Sequence, residues 1–106
     1  MTIPTHEDAM LPVLDVLRDG QAYHRRALAD AMAEHFQLTP EERVALLPSG
    51  KSPVIRSRTG WALSYMKQAR LVESPRRGWY QITDLGQQTL AAKPARIDNE
   101  YLKRFD

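Results

Sequence analysis

The residues that most often carry chemistry are scattered along this chain rather than grouped. His6, His24 and His35 stand at spacings that bring no two onto one helical face, so no metal site is expected. There is no cysteine, which excludes a disulfide, a thiol nucleophile and cysteine-ligated zinc. No Gly-x-Ser-x-Gly elbow occurs, and no base can be paired with any serine. The carboxylates lack the strand-borne acid, acid-x-lysine cluster that a nuclease needs to hold magnesium. The segment Ala45 to Ser52, ALLPSGKS, has the outline of a phosphate loop with alanine in the first glycine position. A working loop follows a buried strand, whereas a helical stretch precedes this one and Pro48 removes an amide, so nucleotide hydrolysis is not expected. No catalytic residue, cofactor or metal is assigned.

What is grouped is positive charge. Residues 1 to 50 hold four arginines against eight carboxylates, and residues 81 to 106 hold four of each sign. Residues 51 to 80 hold Lys51, Arg56, Arg58, Lys67, Arg70, Arg76 and Arg77 against Glu73 alone, a local net charge of +6 in a chain of net +2. A cationic segment of this kind is the footprint of a surface that meets phosphate, where each neutralised phosphate releases condensed counterions.

The elements that must position these cations can be read from capping and periodicity. A first helix starts after Thr5, with Asp8 three residues on completing a capping box; Met10, Val13, Leu14 and Leu17 form its apolar face, and Asp19-Gly20 stops it. Pro12 lies inside this run and is expected to kink or shorten it. Residues 21 to 24 form a short extended link. Arg25 to Phe36 is an alanine-rich helix with Leu28, Met32 and Phe36 on one side. Thr39, Pro40 and Glu42 open a shorter helix, PEERVALL, that ends at Pro48. From Pro53 to Arg70 a third long helix carries Ile55, Thr59, Ala62, Met66 and Ala69 in one stripe. LVES and GWYQIT are two extended segments joined by Pro75, Arg76, Arg77 and Gly78, a hairpin with a doubly charged tip. A last helix begins near Thr83, and residues 93 to 106 form a short C-terminal helix or the start of a linker.

The fold class expected is mainly α with a small β hairpin, a winged helix-turn-helix of residues 1 to 92. In that arrangement the long third helix enters the major groove of double-stranded DNA and the hairpin reaches a flanking backbone. Turning the stripe from Ile55 to Ala69 inward leaves Arg56, Ser57, Gly60, Trp61, Ser64, Lys67 and Gln68 outward at 100° per residue. Small side chains let a helix sit deep in a groove, and long cationic ones span to bases or phosphates. The DNA-binding set is therefore Lys51, Ser52, Arg56, Ser57, Gly60, Ser64, Lys67, Arg76 and Arg77. Lys51 and Ser52 are placed just before the recognition helix, and Arg76 and Arg77 at the hairpin tip. Trp61 and Trp79 are expected to pack at core edges rather than to stack on bases.

Three pieces of this sequence are specific: LLPSGK, the R-T-G-W-A turn with Arg58, Gly60 and Trp61, and the L-V-x-S-P-x-R-G hairpin with Leu71, Ser74, Pro75, Arg77 and Gly78. Over residues 3 to 91 the chain resembles the N-terminal domain of Mrr-type restriction proteins. The resemblance implies a winged-helix DNA-binding domain joined to a C-terminal nuclease of the PD-(D/E)xK type that cuts DNA bearing foreign methylation. The departure is the absence of a nuclease half, so catalysis is expected from another domain or chain, with NEYLKRFD as the beginning of the connection. A transcription regulator acting as a homodimer on a symmetric operator is the alternative in the same class, and a module that binds a partner subunit is the alternative in another. With no export signal and no long apolar run, the expected location is the cytoplasm, at the nucleoid, without membrane contact.

Overall fold

The computed structural model describes residues 3–46 and 53–105. Helix α1 (His6–Val16) is opened by a reciprocal capping box in which Thr5 Oγ1 accepts the Asp8 N–H and Asp8 accepts the Thr5 N–H. It runs through Pro12 without interruption, and a 3-10 turn (Leu17–Asp19) extends it to Gly20, whose φ of 82° ends it. The link that follows is a strand, β1 (Tyr23–His24). It is tied back to the turn by the Tyr23 hydroxyl, which donates to Asp19 and, with the Gln21 N–H, holds that carboxyl below its usual pKa.

Helix α2 (Arg25–His35) buries Leu28, Ala29, Met32 and Ala33. Helix α3 (Pro40–Val44) has the expected capping box between Thr39 and Glu42 but is shorter than expected. At Ala45 the backbone turns extended, with ψ 126°; its carbonyl accepts the Val54 N–H at 2.8 Å and Leu46 bridges Pro53, so the helix cannot continue. Helix α4 (Val54–Gln68) is the centre of the fold. Its Ile55, Thr59, Ala62, Leu63 and Met66 are buried against α1 and α2, joining Met10, Val13, Leu14, Leu28 and Met32 in one core. It closes at Arg70, a non-glycine residue at φ 69°, where the Leu71 N–H reaches the Met66 carbonyl.

Strands β2 (Val72–Arg76) and β3 (Trp79–Ile82) form the hairpin, and β1 pairs on the far side of β3, giving a three-stranded antiparallel sheet in the order β1-β3-β2. The turn is narrower than expected. Val72 faces Ile82 and Glu73 faces Gln81, but Arg76 faces Trp79, so β2 holds one extra residue between Glu73 and Arg76. The bulge places Pro75 where no ladder N–H is required, and Ser74 Oγ donates to the Arg76 carbonyl across it. Only Arg77 and Gly78, at φ 83°, make the turn itself.

Thr83 joins the sheet to α5 (Asp84–Ala91). Its hydroxyl donates to the carbonyls of Arg70 and Leu71 and accepts the Gly86 N–H. The helix approaches so closely that a Cβ on Gly86 would collide with the Leu71 carbonyl oxygen and the Ile82 side chain. The remaining residues dock rather than trail away. Ile97 and Leu102, the latter in α6 (Asn99–Leu102), are buried in the core, and Arg96 pairs with Asp8 at 2.8 Å. The Asn99 N–H donates to Glu7, so the first turn of α1 receives the tail through two carboxylates.

Two outcomes follow from this packing. Gly86→Ala lowers stability by about 1–3 kcal/mol, the usual cost of an overpacked site, read as a lower urea midpoint at unchanged slope. Arg96, then the Thr5 N–H, lower the Asp8 pKa, so this carboxylate stabilises the docked tail above its unfolded value and the contribution disappears as pH falls through the lower folded value. The protection factors of the Asn99 and Tyr101 amides against hydrogen exchange therefore fall below about pH 4, and Asp8→Asn shows the lower protection already at neutral pH.

Candidate nucleic-acid interface

With one stripe of α4 committed to the core, the opposite side of the helix faces out. Arg56, Ser64, Lys67 and Gln68 are exposed, Ser57 and Gly60 half-exposed, and Trp61 keeps 56% of its surface open to solvent. The expected outward set is thus the observed one, but Trp61 is not the core-edge packing residue anticipated. Its ring lies 6.0 Å from that of Tyr65, one turn further along the helix, and the rest projects outward.

This surface is concave. A cleft of about 510 Å³ lies between α4, the start of α2 and the sheet. Arg56, Ser57, Gly60, Trp61 and Ser64 line it from α4. Tyr80 lines it from β3, and Arg25 and Arg26 from the first turn of α2. The last three were not found from the sequence, because they reach the site through the pairing of Tyr23 with Tyr80 and the bond from the Arg25 N–H to the Gly78 carbonyl at 2.8 Å. One local signal was available: two adjacent arginines occupy a helix start, where the positive end of the macrodipole disfavours cations.

Among the described residues, the ion pairs are Arg18–Asp15, Arg43–Glu34, Arg96 with Asp8 and Asp98, and Lys103–Glu100. None involves a cation of the cleft, of the outer face of α4 or of the hairpin. Arg25, Arg26 and Arg56 therefore converge on one depression that no carboxylate among the described residues lines. Such a surface concentrates anions.

The other expected site residues are distributed around this centre. Lys67 is exposed on the same helix but does not line the cleft. Arg77 stands at the tip of the hairpin, whereas Arg76 belongs to β2 and lays its guanidinium over the Trp79 ring, 4.7 Å from the centroid. The doubly charged tip is therefore one arginine at the turn and one held along the strand. Lys51 and Ser52 lie outside the described residues, as does most of the ALLPSGKS segment. Among the described residues, no cluster of three histidines or carboxylates can hold a metal ion, and no helix is long and apolar enough to cross a membrane.

Gly60 occupies the middle of α4 at the floor of the cleft, and a Cβ built there meets no atom within 4 Å. No internal packing demands this glycine, unlike Gly86.

Helix, strand, helix, helix, helix and two-stranded wing, with the long helix exposed beside the wing, make this a mainly α, winged-helix-like protein. Within that class the chain belongs to the family described as the Mrr N-terminal domain, whose model matches residues 6–92. It is 33% identical over 97 residues to the type IV methyl-directed restriction enzyme EcoKMrr of Escherichia coli strain K12, a match that covers 89% of this chain and 31% of that protein. The chain thus spans about a third of the length of this relative. No solved structure matches it.

Because the space over Gly60 is open, Gly60→Ala raises stability by about 0.5–1 kcal/mol, the ordinary gain in a helix interior. Chemical denaturation checks this, and a loss of stability would mean that the glycine serves the fold after all.

Proposed function

We propose that this chain is a recognition module for double-stranded DNA in an Mrr-like restriction system, directing a nuclease in another domain or partner chain to its target. The observation that carries this reading is the convergence of Arg25, Arg26 and Arg56, none paired with a carboxylate among the described residues, on the cleft beside the outward side of α4. A major groove about 12 Å wide admits one helix, and α4 offers it an outer side on which glycine and serine leave room for a close approach. In this reading Arg56 and Lys67 reach bases or phosphates, Ser57 and Ser64 hydrogen-bond across the groove, and the absent side chain at Gly60 lets the backbone come near.

Arg76 and Arg77 then lie along the flanking backbone, and Lys51 and Ser52 are further phosphate contacts in this reading. Arg25 and Arg26 hold the opposite strand. These contacts supply affinity rather than choice of sequence. The similarity to a methyl-directed restriction enzyme makes modified DNA the natural target, with cleavage assigned outside this chain.

The experiment is a salt series on an immobilised duplex. The wild-type chain binds with a steep salt dependence, and replacing Arg76 and Arg77 together by alanine lowers the slope of log K against log salt by about two, near one per lost phosphate contact. Arg25→Ala with Arg26→Ala lowers it by a similar amount. Equal retention of wild type and both double variants at every salt concentration rejects the proposal. Gly60→Ala binds the same duplex more weakly although its fold is more stable, which separates the role of this glycine from stability.

A further inference from the structure

Reading the cleft as part of a DNA-binding face leaves its shape and its aromatic residues unaccounted for. Ser57, Gly60 and Ser64 lie on one side of a depression that is lined on the others by Tyr80 and the start of α2. At about 510 Å³ the depression falls within the range of about 300–1,000 Å³ that holds small ligands. A base still paired in the duplex presents only its edge. An extruded base presents a flat face.

A row of rings leads into this space. His6 stacks on Tyr65 at 5.1 Å and 26°, Tyr65 is followed by Trp61 at 6.0 Å and 33°, and there the row stops with the indole 56% exposed in the cleft. Tryptophan is large and is usually well buried, so a tryptophan that lines a cleft with more than half of its surface open offers a ring on which another flat ring can lie. Beside it the floor over Gly60 is clear for 4 Å. Arg25, Arg26 and Arg56 line the same cleft, three cations of the kind that pair with phosphates on either side of such a base.

We infer that this cleft takes up one nucleobase of the bound DNA, unstacked from its neighbours and laid on the indole of Trp61. The inference rests on the DNA-binding reading and adds to it: α4 and the wing hold the duplex, and the cleft inspects a single base outside the stack. Extrusion is least costly where a base is mismatched, damaged or unpaired, and stacking on an aromatic side chain tolerates any base. Selection among bases then falls to the polar and cationic lining.

The test uses the whole chain and a 20-base-pair duplex in three forms: fully paired, with one extra unpaired thymidine at the centre, and with the same extra nucleotide lacking its base. The two bulged forms share backbone and charge and differ only in the ring. The expected result is a preference of roughly tenfold for the thymine bulge over the abasic bulge, the scale of one base stacked on one aromatic ring. Trp61→Ala abolishes this ratio, Trp61→Phe retains most of it, and an unchanged thermal midpoint in both variants shows that the fold is intact. Equal affinity of the wild type for both bulges, or a preference that survives Trp61→Ala, overturns the inference. If the fully paired duplex is bound in that case, only the base site fails. If no form binds, the DNA reading fails with it.

Discussion

Burial of one stripe of α4 governs the rest of the molecule. Ile55, Thr59, Ala62, Leu63 and Met66 recur at helical spacing and are covered by α1 and α2, so the helix has no rotational freedom left. Everything on its other side is thereby aimed at solvent in fixed order, and the face proposed for binding is the complement of the core. Thr59 marks the limit of this arrangement: its hydroxyl is buried with no hydrogen-bond partner among the described residues, a polar cost accepted within the stripe.

Much of the architecture was legible because it is local. Thr5 with Asp8 and Thr39 with Glu42 announced two helix starts, and both capping boxes are formed. The stripe of α4 needed only a count of residues per turn. Helix ends were harder to read where no glycine marked them: Gln37 and Arg70 adopt left-handed conformations at φ 53° and 69°, and side-chain type does not announce that. The early end of α3 depends on Val54 and Pro53, and the bulge in β2 on a register with β3, neither of which is visible in a window of neighbours.

The candidate site divides along the same line. Its α4 half followed from periodicity, residue by residue from Arg56 to Lys67. Its other half, Arg25, Arg26 and Tyr80, depends on β1 lying beside β3, a contact across more than fifty positions of chain. Trp61 was misjudged for a related reason. Its surroundings are a cleft made by three separate elements, so composition favoured packing and the tertiary arrangement left the ring open. For the tail beyond the family match the sequence left a short helix and a linker both open, and the choice lies in tertiary contacts: Ile97 and Leu102 are buried in the core and α6 forms.

The placement of the two tryptophans has a spectroscopic consequence. Neither belongs to the core: Trp61 lies in the cleft, and Trp79 sits in the sheet between the His24 ring and the Arg76 guanidinium. Indole emission from this protein therefore originates on its cationic side, while helical dichroism is dominated by α1, α2 and α4. Followed together during unfolding, the two signals differ in reach: emission reports the surroundings of two surface rings, dichroism the helices as a whole, and a gap between their midpoints measures how far the cleft and sheet loosen before the helices melt.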